Sequence, residues 1–138
     1  QELRLRPEGR ARPHQDVIGY GGPVVTKGLN MLYGPGNDLV SATAMTAAGA
    51  HLILFSTGRG TPFSAPAPTL KISTNTPLAE EGGWIDFNTG VIADGEKTID
   101  EAAKDLLDLV IRVAGGEQTK AEKHGFREIS IFKDGVVL

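Results

Sequence analysis

The chain has 138 residues, 40% hydrophobic and 22% charged, which is typical of one globular domain with a buried core. Its formal net charge of -3 excludes a strongly basic nucleic-acid-binding surface, and no apolar run approaches the ~20 residues that cross a bilayer. The amino terminus also lacks a signal-peptide pattern, so we expect a cytoplasmic protein without nucleic-acid or membrane partners. The absence of cysteine excludes disulfides and thiolate sites in this chain.

The first 22 residues are predicted to form an extended arm. Residues 1–22 contain four arginines and two prolines without sustained periodicity. The first residue, Gln1, is not an initiator methionine, so we expect the arm to continue an upstream domain, with a tail left by cloning or processing as the alternative. Residues 23–138 are then the folded domain.

A turn, a helix and a strand are predicted over residues 35–56. The turn at 35–38 contains Asn37 and Asp38, either of which can cap a helix that starts at Leu39 and stops at Gly49. The alanines of this helix predict close packing against a sheet. The consecutive apolar residues 52–55 predict a strand over 50–56 that is central in a parallel sheet and covered on both faces.

Later segments continue the alternation of strands and helices. Strands are predicted at 69–74, 90–93 and 128–132, and a short helical turn at 119–124. A long helix is predicted from Thr98 to about Ala114, with Thr98 and Glu101 as a capping box. This order predicts an α/β fold, a three-layer Rossmann-like domain with a mainly parallel sheet.

The long helix shows one apolar and one charged face. The apolar face is predicted to contain Ile99, Ala102, Ala103, Leu106, Leu107, Val110 and Val113. On the charged face, Lys104 with Asp108 and Asp108 with Arg112 are spaced for ion pairs. We interpret this helix as structural.

The loop after the apolar strand is the strongest candidate for chemistry. Its glycines can present backbone N–H groups to an anion, its threonines add hydroxyl donors, and its arginine matches a carboxylate. The predicted substrate-binding residues here are Thr57, Gly58, Arg59, Gly60 and Thr61. The alternative is a tight turn in which the arginine pairs with an internal acid.

Two familiar glycine motifs do not fit this loop. A dinucleotide fingerprint needs glycine where the chain has Phe63, and Pro62 disturbs the helix start that a pyrophosphate requires. The phosphate loop of nucleotide hydrolases needs Gly-Lys-Ser or Gly-Lys-Thr, which the chain lacks.

Further candidates follow the predicted strands. Asn75 closes the strand at 69–74, while Asp86 and Asn88 flank an aromatic residue; these three are the remaining predicted substrate contacts. Asp86 can pair with Arg59 or assist a metal and Asn88 can bind substrate, although a turn with a core Phe87 is the more common explanation for each residue. Lys71 lies inside the strand at 69–74 and can point toward the same crevice as Asn75, although a solvated edge position is the more common explanation for a strand lysine.

No complete metal site or catalytic base is recognised in the chain. Its three histidines, His14, His51 and His124, share no short ligand spacing, so any catalytic metal is expected to take most of its ligands from elsewhere.

Several segments resemble altronate and galactarate dehydratases in chain order. They are Lys27-Gly28-Leu29-Asn30, Pro35-Gly36-Asn37-Asp38 with residues 41–43, and residues 47–60, 66–75, 86–90, 94–96 and 116–122. The similarity extends over residues 27–127, which makes it more specific than any one motif. It identifies residues 23–138 as the carboxy-terminal domain of a sugar-acid dehydratase.

The resemblance implies a lyase that removes water from a hexonate or hexarate to give a 2-keto-3-deoxy acid. It also implies a divalent metal, iron or manganese, and upstream domains of the same polypeptide as partners, so the isolated chain is expected to be inactive. Homo-oligomer formation stays open. Galactarate-type members often have cysteine where this chain has Thr89, which favours another branch.

Three other functions stay open. The domain can be a scaffold or oligomerisation domain, or a freestanding binder of small anions. Sulfolactate sulfo-lyase resembles the same group, so the leaving group also stays open.

Overall fold

The computed structural model of the chain describes residues 14–131. Its strands are β1 (Asp16–Ile18), β2 (Asn30–Leu32), β3 (Ile53–Thr57), β4 (Thr69–Ser73) and β5 (Phe87–Asn88). Its helices are α1 (Asp38–Ala47), α2 (Thr76–Glu81), α3 (Gly90–Ala93), α4 (Ile99–Ala114) and α5 (Lys120–Lys123). None of these helices combines the length and apolar character that spanning a membrane requires.

All strand pairs in the described residues are parallel. One sheet has the order β3-β4-β5, with Ile53 opposite Thr69 and Ile72 opposite Phe87. A separate pair joins β1 to β2. Helix α1 separates β2 from β3 and helix α2 separates β4 from β5 along the chain, and the prediction of a Rossmann-like α/β domain with parallel strands is confirmed.

The middle strand of the three is β4, whereas the sequence predicted a central strand over 50–56. Every residue of β4 is buried, while β3 is covered on one face and its Leu54 is 51% exposed. The run of four apolar residues at 52–55 therefore did not identify the strand that is buried on both faces. β4 carries more polar side chains than β3, and its burial depends on which strands pair beside it.

Helix α1 packs on the covered face of β3 as predicted. Ala42 is fully buried and forms a core cluster with Ile53 and residues from the segment that follows β3: Phe63, Ala65 and Ala67. The helix begins where Asn37 accepts a hydrogen bond from the Val40 N–H at 3.2 Å, so Asn37 is the cap.

Residues 90–93 form helix α3, so the predicted strand at this position is wrong. The strand at this point is β5, and the Asn88 side chain accepts the Gly90 N–H at 2.8 Å immediately after it. A Cβ at Gly90 would lie 2.3 Å from the Thr76 nitrogen, so the chain turns in close contact with the start of α2.

Helix α4 has the predicted limits and capping box, but its apolar face is only partly covered. Ala102 and Val113 are buried, whereas Ile99 and Leu107 are 70% and 58% exposed. Its ion pairs also differ from those predicted. In the described part of the chain, Lys97 pairs with Asp105 at 2.6 Å and Arg112 with Glu117 at 2.9 Å.

The last described segment contains the predicted helical turn but not the predicted strand. Helix α5 starts with a capping box formed by Thr119 and Glu122. Residues 128–131 instead run beside other elements: the Glu128 N–H donates to the Ser64 carbonyl, and the Ser130 N–H donates to Thr43 Oγ1. Residue 132 lies outside the described residues.

Part of the predicted arm belongs to the fold. Strand β1 pairs with β2, which attaches residues 16–18 to the domain, whereas the sequence suggested an arm with nothing to pack against. Residues 1–13 lie outside the described residues, and the boundary at residue 22 stays a prediction.

Candidate functional site

The predicted loop lies at the carboxyl edge of the parallel sheet. Residues 57–61 leave the end of β3, while Asn75 and Asn88 lie at the ends of β4 and β5. Since the strands are parallel, their carboxyl ends share one edge, where open α/β sheets bind ligands. The structure thus brings the loop and both asparagines to one side of the domain.

The loop is braced by its own hydroxyl and by Asn75. The Gly60 N–H donates to Thr57 Oγ1 at 2.9 Å, and Asn75 Nδ2 donates to the Gly58 carbonyl at 3.0 Å. Gly60 has a φ of +82°, and a Cβ there would lie 2.8 Å from Leu78 Cδ1. The turn therefore requires glycine at position 60.

Several hydrogen-bond donors of the loop remain available to a ligand. Among residues 14–131, no hydrogen bond engages the backbone N–H groups of Gly58, Arg59 or Thr61. The Arg59 side chain is exposed and forms no ion pair with any described residue. Backbone amides beside a free guanidinium constitute a donor set suited to a carboxylate.

The two asparagines brace the site from within the protein. Asn75 Oδ1 accepts the Leu78 N–H at 3.0 Å and so caps α2. Asn88 Oδ1 accepts from Ser73 Oγ and from the Gly90 N–H, while its Nδ2 donates to Thr76 Oγ1 at 3.1 Å. Both side chains therefore have internal partners in this structure.

Asp86 bridges two elements through backbone amides. One carboxylate oxygen accepts the Lys71 N–H and the other accepts the Lys120 N–H, each at 2.8 Å. These bonds connect β4 with the start of α5. In the described residues, Asp86 forms no ion pair with Arg59.

A metal site does not fit the side chains of the described residues. No group of three or more histidine, aspartate or glutamate side chains among them is placed to hold an ion. Asp86, the carboxylate that the sequence suggested for a metal, already accepts two backbone N–H groups.

Lys71 is the residue that sequence reasoning undervalued. It was interpreted as a solvated edge residue, but it is fully buried in the middle of β4. Its ammonium group donates to the Thr61 carbonyl at 2.7 Å and lies 3.5 Å from the ring centre of Phe63 and 4.1 Å from that of Phe55. The feature of the sequence that could have indicated this burial was a lysine inside a strand whose other residues are uncharged.

The electrostatics of Lys71 are unusual for a lysine. Burial lowers the pKa of its ammonium group to about 8, although Asp38, Asp86 and Glu128 each raise it. The amine is therefore charged at neutral pH and titrates in mildly alkaline solution.

Two hollows lie beside helix α4, away from the loop. One of about 390 Å³ is mainly polar and includes Lys97, Asp105 and Arg112; the other, of about 190 Å³, is apolar and includes Phe87 and Ile99. Neither is lined by residues 57–61, and Gly58 and Arg59 of the loop are exposed on the surface.

Comparison with known proteins shows which family the chain belongs to. The family model for the carboxy-terminal part of the D-galactarate/altronate dehydratases matches residues 7–137. The chain belongs to this family. The resemblance seen in the sequence is thereby confirmed.

Relatives in the D-galactarate/altronate dehydratase family are much longer than this chain. The chain is 45% identical to altronate dehydratase of Bacillus subtilis (strain 168), covering 91% of itself and 26% of that protein. It is 46% identical to altronate dehydratase of Escherichia coli (strain K12), covering 89% and 25%, respectively. Identity to galactarate dehydratase (L-threo-forming) of the latter organism is 34%, covering 88% and 24%. The chain thus spans about a quarter of these relatives.

Proposed function

We propose that this chain supplies the carboxylate-binding wall of a sugar-acid dehydratase of the altronate or galactarate type. The reaction removes water from the sugar acid and leaves a 2-keto-3-deoxy acid. The observation that carries the proposal is the donor set of the loop: three backbone N–H groups without partners in the described residues, beside the exposed Arg59.

The proposed role of the loop is to bind and orient the carboxylate. Removal of the proton alpha to that carboxylate places negative charge on its oxygens, and aligned donors stabilise this charge. Gly58 and Gly60 let the backbone approach the ligand closely, while Arg59 provides a planar pair of donors. Asn75 and Asn88 shape the loop and sheet edge from within, in keeping with their internal hydrogen bonds.

We propose that the base and the divalent metal of the reaction, iron or manganese, come mainly from the rest of the polypeptide. The described residues hold no cluster of ligand side chains, and the relatives are about four times as long as the chain. Such a metal would polarise the substrate when bound. The isolated chain is then inactive, since it carries only the binding wall.

The proposal is tested by Arg59→Ala in the full-length polypeptide. We expect kcat/KM for altronate or galactarate to fall about 10- to 100-fold, because a charge-assisted pair with the substrate is lost. Arg59→Lys should retain part of the activity. Arg127→Ala, which removes another exposed arginine, serves as the control.

The outcomes separate binding from scaffolding. Wild-type kinetics in a folded Arg59→Ala variant would assign the loop a structural role and favour the scaffold alternative. Activity on neither sugar acid in the unaltered polypeptide would contradict the proposed reaction itself.

A further inference from the structure

The buried ammonium of Lys71 lies directly beneath the candidate loop. The side chain is 0% exposed, although lysine is among the residues least often buried. Its ammonium group lies over the ring faces of Phe55 and Phe63 and donates to the Thr61 carbonyl. Thr61 is the last residue of the loop.

No carboxylate neutralises this charge directly. Within the described part of the chain, Lys71 forms no ion pair within 4.0 Å, and its visible partners are one carbonyl and two aromatic faces. Three acids face it at longer range: Asp38 from α1, Asp86 from the segment before β5, and Glu128 from the segment after α5. A buried charge without a close counter-ion is costly, and an apolar side chain of similar length would fill the same space at lower cost.

The hydrogen-bond acceptor of Lys71 indicates where its charge acts. The Thr61 carbonyl accepts both the Lys71 ammonium at 2.7 Å and the Phe63 N–H at 3.0 Å. The Thr61 hydroxyl donates to Asp38 at 3.3 Å, so this residue is fixed from two sides. Its own N–H belongs to the available donors of the loop.

We propose that Lys71 is a positioning residue of the carboxylate site, which fixes the Thr61 end of the loop and adds positive charge beneath the bound anion. This inference rests on the proposed function. Lys71 does not touch the substrate, because its side chain is buried. It acts through the loop backbone.

The test compares Lys71→Met with Lys104→Met in the full-length polypeptide. Methionine retains much of the length of lysine and removes the charge and the hydrogen bond, while Lys104 is an exposed lysine of α4. We expect Lys71→Met to raise KM for the sugar acid about tenfold or more, with a smaller change in kcat. Exchange of the Gly60 amide, which donates to Thr57 Oγ1, should accelerate in this variant and not in the control.

The pH dependence supplies a readout that a purely structural role would not change. In the unaltered enzyme, KM should rise as the pH passes through the titration of Lys71 near 8, because the charge beneath the anion is lost. Lys71→Met should lack this rise, and Lys71→Arg, which keeps the charge, should restore low KM at pH 9.

Each outcome bears on the inference. Wild-type KM, exchange and pH profile in Lys71→Met would overturn it, while leaving the proposed function intact. If the variant does not fold, the unaltered enzyme decides, since a KM that is constant from pH 7 to 9.5 would overturn the inference. If the unaltered enzyme dehydrates neither sugar acid, the proposed function fails. Unchanged exchange of the Gly60 amide in Lys71→Met would separately reject the positioning role of Lys71.

Discussion

Gly60 combines two constraints that only glycine satisfies. Its φ of +82° lies in the left-handed region, and Leu78 occupies the place of a side chain. We expect Gly60→Ala to destabilise the chain by about 1–3 kcal/mol, because it adds both backbone strain and a steric clash. Urea denaturation of the 138-residue chain measures this change.

Gly83→Ala is the matched control for this substitution. A Cβ at Gly83 meets nothing within 4 Å, so the control should change the unfolding free energy by less than ~0.5 kcal/mol. Equal effects of the two substitutions would contradict the steric explanation.

The lowered pKa of Lys71 predicts a pH dependence of stability. Between about 8 and 10.5 the unfolded chain holds the proton and the folded chain releases it, so the free energy of unfolding increases with pH in this window. Relative to Lys71→Met, the unaltered chain should gain on the order of 1–3 kcal/mol from pH 7.5 to 10.5. Urea denaturation at several pH values tests this. If the free energies of unfolding of the two proteins changed with pH in the same way, the result would be inconsistent with a buried ammonium group at Lys71.

Single residues also show where sequence reasoning succeeds. Local chemistry predicted the Asn37 cap and the turn at residues 58–60 because the partners lie within a few positions along the chain. The environments of Lys71 and Asp86 could not be read in the same way. Their partners come from distant segments, as the bond from the Lys120 N–H to Asp86 illustrates.

At the scale of elements, α2 depends on a side chain with two separate tasks. Asn75 accepts the Leu78 N–H as a cap and donates to the Gly58 carbonyl. Asn75→Ala should cost about 1–2 kcal/mol in unfolding free energy, whereas Asn75→Asp keeps the cap and loses only the donor.

Hydrogen exchange separates the two tasks of Asn75. Exchange of the Leu78 amide should accelerate in Asn75→Ala and stay slow in Asn75→Asp, while exchange of the hydrogen-bonded Gly60 amide should accelerate in both variants. Slow exchange of the Gly60 amide in the aspartate variant would show that the bond to Gly58 contributes little.

The capping box of α4 provides a second test at this scale. Thr98 Oγ1 accepts the Glu101 N–H, and the Glu101 carboxylate accepts the Thr98 N–H at 2.8 Å. Thr98→Ala should lower stability by about 1 kcal/mol, as measured by thermal unfolding. Thr26→Val, at an exposed residue outside any helix, serves as a control and should leave the melting temperature nearly unchanged.

The elements differ in how well their sequences predicted them. Helices α1 and α4 have strong local start and stop signals, so their limits were predicted to within one or two residues. Residues 90–93 and 50–56 are short apolar runs, for which periodicity does not distinguish strand from helix or edge from centre. Their structures are set by long-range pairing and close contacts, such as that of Gly90 with Thr76.

At the scale of the whole molecule, apolar side chains lie on the surface of the described chain. Leu54 on β3 and Leu107 on α4 are each more than half exposed. The chain is about a quarter as long as its relatives, so we expect other parts of the polypeptide to cover these positions.

Thiol labelling tests this coverage. The chain contains no cysteine, so Leu54→Cys or Leu107→Cys introduces one reactive group into the 138-residue chain. We expect fast maleimide labelling in the isolated chain and labelling at least about tenfold slower in the full-length polypeptide. The exposed Ser56→Cys on β3 is a comparison for position 54, and equal protection at all positions would indicate general shielding.

Activity should likewise depend on the complete polypeptide. The described residues offer no cluster of metal ligands, and Gly58 and Arg59 of the candidate loop are exposed on the surface. We expect the 138-residue chain to produce no 2-keto acid from altronate, even with added Mn²⁺ or Fe²⁺. Measurable turnover by this chain would show that its own residues complete the site.

The aromatic pair around Lys71 has a consequence for engineering. Phe55 and Phe63 meet edge to face, with ring centres 5.0 Å apart, and also enclose the ammonium group. A redesign that replaces Lys71 with an apolar side chain would remove a buried charge without a close counter-ion and make the interior more robust to heat. It would also remove the charge that we propose positions the loop, so selection for thermotolerance alone would favour sequences that bind the sugar acid more weakly.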